Sequence, residues 1–381
     1  MKKILFVTSK HPFPTDSNDG GDSTVSEFVR ALGAYCQLDI LCFREYDSNV
    51  KVPLVHEIFF QHIDFANYDF YSKGNDQKFR VRLQQADFSA KKINDLAGNY
   101  DTIIVQHCMF ILRLADFGKD AFRKIILLPM FTGMEYLKSQ EYVPHDYILA
   151  EKKALSHVNK IITPSNAEGE ILISEYNISP EKLTVIPRSV SEIDQKFFKP
   201  CSENLQLIYI AALRSQKAHP DTMKLFERVK KFIPSAKLHC VGTIQDKNLF
   251  EECIKFLQTK NLMNDVFFHG TLNRAQINYL FKLCDINISM SLWESFGRGI
   301  FEGLVAGLPT IVPERILSVA DLPEPIRPLT ASCIEEMVNT ILRLYEDEKF
   351  FRAESSKGVL LRKYLSVERI QKLLRDTILL N

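Results

Sequence analysis

The sequence predicts an α/β chain of two doubly wound parallel-sheet domains facing a central cleft. Three observations carry that expectation. The chain has 381 residues, enough for two separate cores. Short strand-like runs alternate with helical patterns in both halves, as a parallel sheet covered by helices requires. A weakly periodic stretch from Pro187 to Asn204 separates the halves.

In the first half, Ile4 to Thr8, Leu38 to Cys42, Thr102 to Gln106, Ile125 to Leu128 and Lys160 to Thr163 read as strands. Val25, Phe28, Val29 and Leu32 recur at helical spacing, and Tyr147 to Val158 forms a later helix. The second half repeats the scheme with strands at Leu207 to Ala211, Lys237 to Val241, Val266 to His269, Ile286 to Met290 and Thr310 to Val312. Helices at Asp221 to Phe232, Leu249 to Lys260 and Ala275 to Cys284 fit between them. Ile334 to Tyr345 and Val367 to Leu380 have no strand after them and are expected to brace the domain junction. The domains are therefore expected at 1–190 and 205–361, with a linker at 191–204 and a terminal helical segment at 362–381 packing back across the junction. Val50 to Lys78 is aromatic-rich and reads as irregular, either an acceptor-facing excursion or a packed loop.

Composition excludes several classes. With 48 basic against 47 acidic residues there is no broad electrostatic case for nucleic acid. Eight cysteines, at 36, 42, 108, 201, 240, 253, 284 and 333, are scattered without a C-x-x-C pair and read mostly as small buried side chains of a reducing compartment. Met1-Lys-Lys-Ile-Leu-Phe-Val7 is too short an apolar run for a signal peptide, and no stretch reaches membrane-spanning length. A soluble cytoplasmic protein is expected, with peripheral contact at the inner face of the membrane or with a partner protein left open.

The stretch Ser291-Leu-Trp-Glu-Ser-Phe-Gly-Arg-Gly-Ile-Phe-Glu-Gly-Leu-Val-Ala-Gly-Leu-Pro-Thr310 carries the most chemistry. Asp285 to Met290 approaches it as a half-buried strand, Phe296 and Gly297 turn, Gly299 to Ala306 opens a helix, and Gly307-Leu-Pro309 stops it. Glu294 then sits at the strand's carboxyl end, where open α/β sheets bind ligands, and Glu302 about two turns into or beside the helix start. Two such carboxylates suit a polyhydroxylated ligand; as isolated residues they would read as solvent-facing glutamates.

Other candidates lie at other strand ends. Gly20 and Gly21, in Asn18 to Ser23, bring backbone amides near an anion, without the G-x-G-x-x-G or G-x-x-x-x-G-K-[ST] pattern. Arg214 and Lys217 follow the first strand of the second half and suit a diphosphate. His107 ends the strand at Thr102 to Gln106 and suits a sugar hydroxyl, or is a satisfied edge residue. Glu135 ranks lower, and His219 and His239 read as structural or exposed. Nothing has zinc-ligand spacing, and no metal is expected.

Glu294-Ser-Phe-Gly-Arg-Gly-Ile-Phe-Glu302, extended through Gly307-Leu-Pro-Thr310, resembles the signature of the retaining nucleotide-sugar glycosyltransferases with two Rossmann-like domains, the GT-B type. Gly20-Gly21, His107, Ile162-Thr-Pro-Ser165, Val185-Ile-Pro187 and Lys217 add to it. The resemblance implies transfer of a hexose or N-acetylhexosamine from a nucleoside diphosphate sugar to an acceptor hydroxyl of a glycan, glycolipid or small molecule, without cofactor or metal. It implies His107, Lys217 and Glu294 as catalytic, with Gly20, Gly21, Arg214, Phe296, Gly297 and Glu302 completing the donor site. Glu294 would hold sugar hydroxyls, Glu302 the ribose and Lys217 the diphosphate. One departure is Ala211-Ala212, where members commonly carry Gly-Arg; Arg214 is then the candidate replacement. A nucleotide-sugar 2-epimerase and a non-catalytic partner subunit are the alternatives, and a nicotinamide oxidoreductase is disfavoured by the missing glycine fingerprint.

Overall fold

The computed structural model describes residues 1–10, 20–43, 52–61, 75–190, 193 and 204–380. It divides into two compact units, Met1–Arg188 with Glu368–Asn381, and Ser189–Val367. Each is a Rossmann-like sheet with its own core.

Unit 1 contains seven parallel strands, β1 (Lys3–Thr8), β2 (Gln37–Cys42), β3 (Glu57–Phe60), β4 (Thr102–Gln106), β5 (Ile125–Leu128), β6 (Lys160–Thr163) and β7 (Leu183–Val185). Their order is β3-β2-β1-β4-β5-β6-β7. Ile4, Leu5, Phe6 and Val7 are all fully buried, because helices cover both faces of such a sheet and leave no solvent side. Its helices are α1 (Gly20–Leu32), α2 (Asn75–Ala97), α3 (Gly133–Lys138), α4 (His145–His157) and α5 (Asn166–Tyr176).

Unit 2 orders β8 (Gln206–Ile210), β9 (Lys237–Val241), β10 (Val266–Phe268), β11 (Ile286–Ile288), β12 (Thr310–Pro313) and β13 (Leu329–Ala331) as β10-β9-β8-β11-β12-β13. The helices are α6 (His219–Phe232), α7 (Lys247–Thr259), α8 (Arg274–Leu283), α9 (Arg298–Val305), α10 (Ile334–Glu346) and α11 (Glu348–Tyr364). The last helix, α12 (Val367–Leu379), seals the first unit instead. Its Ile370, Leu374 and Ile378 join the core of β1, β2 and α1, each contributing roughly 1.5–3 kcal/mol by burial. Lys2 Nζ donates to Ile378 O at 2.8 Å and Lys160 Nζ to Thr377 O at 2.6 Å, placing cations at the negative end of the helix.

Three strands, β3, β7 and β13, and four helices, α2, α3, α5 and α11, lie outside the sequence expectation. β3, β7 and β13 are edge strands of three or four residues with partly exposed side chains, so their apolar signal is weak. β3 also shows that 50–78 is not wholly irregular; 50–51 and 62–74 lie outside the described residues, as do 11–19 and nearly all of the expected linker. The strand before Glu294 is fully buried rather than half-buried, since α8 and α9 flank it on both sides in sequence and its three residues are all inaccessible. Cys36, Cys42, Cys108, Cys240, Cys253 and Cys284 are buried and Cys333 is exposed; Cys201 is outside the described residues.

Three carboxylates, Glu135, Glu151 and Glu168, are buried together between α3, α4 and α5. Burial pushes the Glu151 and Glu168 carboxyls up to about 7. The folded chain therefore holds protons that the unfolded chain releases near 4.5, and this contribution to stability is lost as pH rises from there through about 7. Glu168→Gln should gain melting temperature relative to the parent at pH 8 but not at pH 5. Parallel melting curves at both pH values would show instead that Glu168 stays ionised in the fold.

Candidate functional site

In an open α/β sheet, loops diverge where the strand order reverses, and ligands bind beyond the strand ends there. In unit 2 the reversal falls between β8 and β11. The loop after β8 carries Arg214 and Lys217; the loop after β11 carries Glu294. Lys217 Nζ donates to Glu294 Oε1 at 2.6 Å, with 13% and 12% of the side chains exposed. Ser291 Oγ donates to the same oxygen at 2.7 Å. Burial pulls the Lys217 ammonium below its ordinary range while Glu294 opposes that shift, so the charge persists because the carboxylate is there.

The two loops are stitched at several points. Tyr209 OH donates to Lys217 O at 2.6 Å and lies 3.2 Å from Ser291 Oγ. Gln216 Nε2 donates to Trp293 O at 2.7 Å, and Gln216 O accepts from Leu292 N at 2.8 Å. Arg214 Nη2 donates to Gln216 Oε1, so Arg214 braces this junction at the base of the Lys217 turn. Ala218 closes that turn at φ 48° and starts α6, a left-handed conformation costly for a residue with a Cβ. His219 follows it, buried against Tyr209 at 4.9 Å between rings; burial and Lys217 push it down to about 3. His239 is likewise buried, pushed down to about 4 by burial and then His269.

Gly297 caps α9 at φ 85°, which glycine accepts freely. Phe296 is buried against Phe301 at 4.6 Å, so the turn offers backbone rather than an aromatic ring. Glu302 lies about one turn into α9, not two, because the helix starts at Arg298. It is 3% exposed, and its Oε1 accepts from Arg274 Nη2 at 3.0 Å. Glu302→Gln should weaken nucleoside diphosphate binding by roughly tenfold if that carboxylate also holds the ribose, on the scale of one charged hydrogen bond; equal affinity by calorimetry would remove it from the site.

In unit 1 the order reverses between β1 and β4. His107 follows β4 with φ 100°, and Met130 and Phe131 follow β5 at φ 55° and 81°. Three non-glycine residues with positive φ at adjacent strand ends are held there at an energetic cost. His107 Nδ1 accepts from Met109 N at 3.1 Å, and burial followed by the Arg82, Lys78 and Lys10 charges holds the ring far below its ordinary pKa. The neutral ring therefore carries its proton on Nε2. Gly20 and Gly21 form the first turn of α1 rather than a loop ahead of it. Glu135, buried, belongs to the capping box of α3.

Tyr209, Ser291, Gln216 and Arg274, which no sequence pattern assigned a role, hold the Lys217, Glu294 and Glu302 side chains or their loops. Asp39, His56 and Glu57 bring potential metal-ligating atoms within 4.8 Å of one another. Asp39 Oδ1 lies 2.9 Å from His56 Nδ1 and Oδ2 accepts from Tyr100 OH at 2.9 Å, which satisfies the buried carboxylate without an ion. Among the described residues, no helix is long and apolar enough to cross a membrane.

Residues 190–354 match the family model for glycosyl transferases group 1. An uncharacterized glycosyltransferase of Methanocaldococcus jannaschii is 26% identical over 174 residues, 43% of this chain and 42% of that protein. The chain spans about half or less of the length of the curated relatives it matches. Sucrose-phosphate synthase of Thermosynechococcus elongatus superposes with TM-score 0.75 at 16% identity, covering 100% of both chains. Anabaena HepE, solved with UDP and glucose, gives 0.70 at 17% identity over 99% of both. At these identities the likeness establishes the two-domain GT-B fold.

Proposed function

We propose that this chain is a retaining glycosyltransferase, moving a hexose or N-acetylhexosamine from a nucleoside diphosphate sugar to an acceptor hydroxyl in glycan or glycoconjugate synthesis. The observation that carries this reading is the Lys217–Glu294 pair at the strand-order reversal of unit 2. Its location inside the matched segment, and the presence of UDP and glucose in one structure of the same fold, support it.

An arriving diphosphate would take Lys217 from Glu294 and free that carboxylate for sugar hydroxyls. Neutralising the leaving diphosphate is the main requirement, and a buried ammonium with oriented backbone amides meets it. The departing phosphate oxygen would accept the proton of the attacking hydroxyl on the same face, so no enzyme carboxylate acts as nucleophile. Glu302 holds the ribose; within unit 1, the neutral His107 has an Nε2–H suited to a sugar hydroxyl. Arg214, tied to Gln216, adds positive field near the diphosphate in place of the arginine expected at Ala212.

Mass spectrometry after offering mixed nucleotide sugars and acceptors, followed by anomeric analysis of the product, tests this directly. An acceptor-dependent glycoside with the donor's anomeric configuration is the expected outcome. A free epimerised sugar, an inverted product, or nucleotide binding without any product would overturn it. Glu294→Gln should lower transfer more than donor affinity, and unchanged kinetics and donor preference would displace the sugar from Glu294.

A further inference from the structure

Helix α2 carries Lys78 and Arg82 one turn apart, so the two cations share a face and repel. Lys78 is 9% exposed, its Nζ 3.8 Å over the Tyr136 ring and 3.7 Å from Glu141 Oε2. Arg82 Nη2 donates to Tyr136 OH at 3.3 Å, and its guanidinium lies 5.4 Å from the Phe79 ring. Arg82 Nη1 is buried and has no hydrogen-bond partner among the described residues. A buried guanidinium N–H without an acceptor costs the full desolvation of that group.

Glu141 is the one carboxylate within ion-pair distance of Lys78 among the described residues. Glu151 and Tyr147 lie within electrostatic reach of Arg82; Glu151 Oε2 accepts from Gly133 N at 2.8 Å and Tyr176 OH at 2.6 Å, while its Oε1 is buried without a hydrogen-bond partner among the described residues. The cations reach His107 at the end of β4, where their field helps keep the ring neutral. Aromatic faces hold the cations in place, one guanidinium nitrogen is without a hydrogen-bond partner among the described residues, and His107 lies within the field of both.

We infer that Lys78 and Arg82 bind an oxyanion of the acceptor substrate, a phosphate or carboxylate, beside His107. This rests on the transfer reading above. A guanidinium takes such a group through paired N–H donors, with an ammonium as a second point charge. The donor's own diphosphate is already assigned to Lys217 in unit 2, which leaves the acceptor as the source of a second anion.

Calorimetry on the full chain saturated with a nucleoside diphosphate that it binds, using ligand pairs in which one member carries an added anionic group, tests the inference. Glycerol phosphate against glycerol reports phosphate; glucuronate against glucose reports carboxylate. At least one charged member should bind tenfold or more tightly than its neutral partner. That preference should vanish in Arg82→Gln, fall in Lys78→Gln and persist in Lys78→Arg; should Arg82→Gln not fold, the two Lys78 variants carry the comparison. Equal binding within both pairs, or a preference surviving both charge removals, overturns the inference while nucleoside diphosphate binding leaves the transfer reading standing. Failure of UDP, GDP, ADP, CDP and TDP all to bind sinks the transfer reading instead, and the same titrations without nucleotide still score the anion site.

Discussion

Lys217→Gln is expected to lower kcat/KM for sugar transfer by about 10²–10³-fold, the usual loss when one preorganised donor to a developing negative charge is removed. Glutamine is the informative replacement because it keeps a donor for Glu294. Lys217→Ala would lose as much activity, but it would also strand a carboxylate whose side chain is only 12% exposed, and breaking a buried pair costs stability of its own. Melting curves separate the two effects: Lys217→Gln should melt near the parent, and Lys217→Ala below it. Near-normal donor turnover by folded Lys217→Gln would remove the lysine from the chemistry.

The second large effect is on packing. A Cβ on Gly358 of α11 would lie 2.1 Å from Leu304 O of α9. Alanine normally favours a helix interior by up to about 1 kcal/mol over glycine, but a side-chain carbon at that distance from backbone forces the helices apart at about 1–3 kcal/mol or more. The clash should win, and Gly358→Ala should lower the melting temperature of unit 2 by several degrees, at roughly 2–4 °C per kcal/mol. Donor affinity should fall with it, since α9 carries Gly297 and Glu302. A rise in melting temperature would show that helix propensity dominates there.

α9 is confined on its other sides too. A Cβ at Gly303 would meet Asn287 Nδ2 at 2.3 Å, and one at Gly299 would meet Ile210 O at 2.5 Å. Asn287 Nδ2 donates to Gly299 O and Ile300 O at 3.2 Å each. The glycines of the motif thus let a short helix lie directly on β8 and β11, which fixes where Glu302 sits. Sequence spacing alone identifies Gly297 as a turn but does not reveal these close approaches, because they depend on how α9 packs across β8 and β11.

Much of the fold is legible because buried parallel strands are continuous apolar runs; Ile103-Ile-Val105 and Leu207-Ile-Tyr209 need no partner to be read as strands. α2 is not legible, since its buried face uses small residues such as Ala86 and Ala90 beside Phe79 and Ile93, leaving a faint helical period. The cations that matter for the further inference lie on that helix. The Glu294 motif is legible because its chemistry is local; the Lys217 contact across 77 residues follows only from where the strand order reverses.

The return of α12 to unit 1 orders events during synthesis. Ile370, Leu374 and Ile378 follow every residue of unit 2 in the chain, so the first sheet cannot complete its cover until all of unit 2 has been synthesised. An apolar surface around β1, β2 and α1 must therefore stay exposed until the last helix arrives, and that interval is when the nascent chain is most open to chaperones and to aggregation.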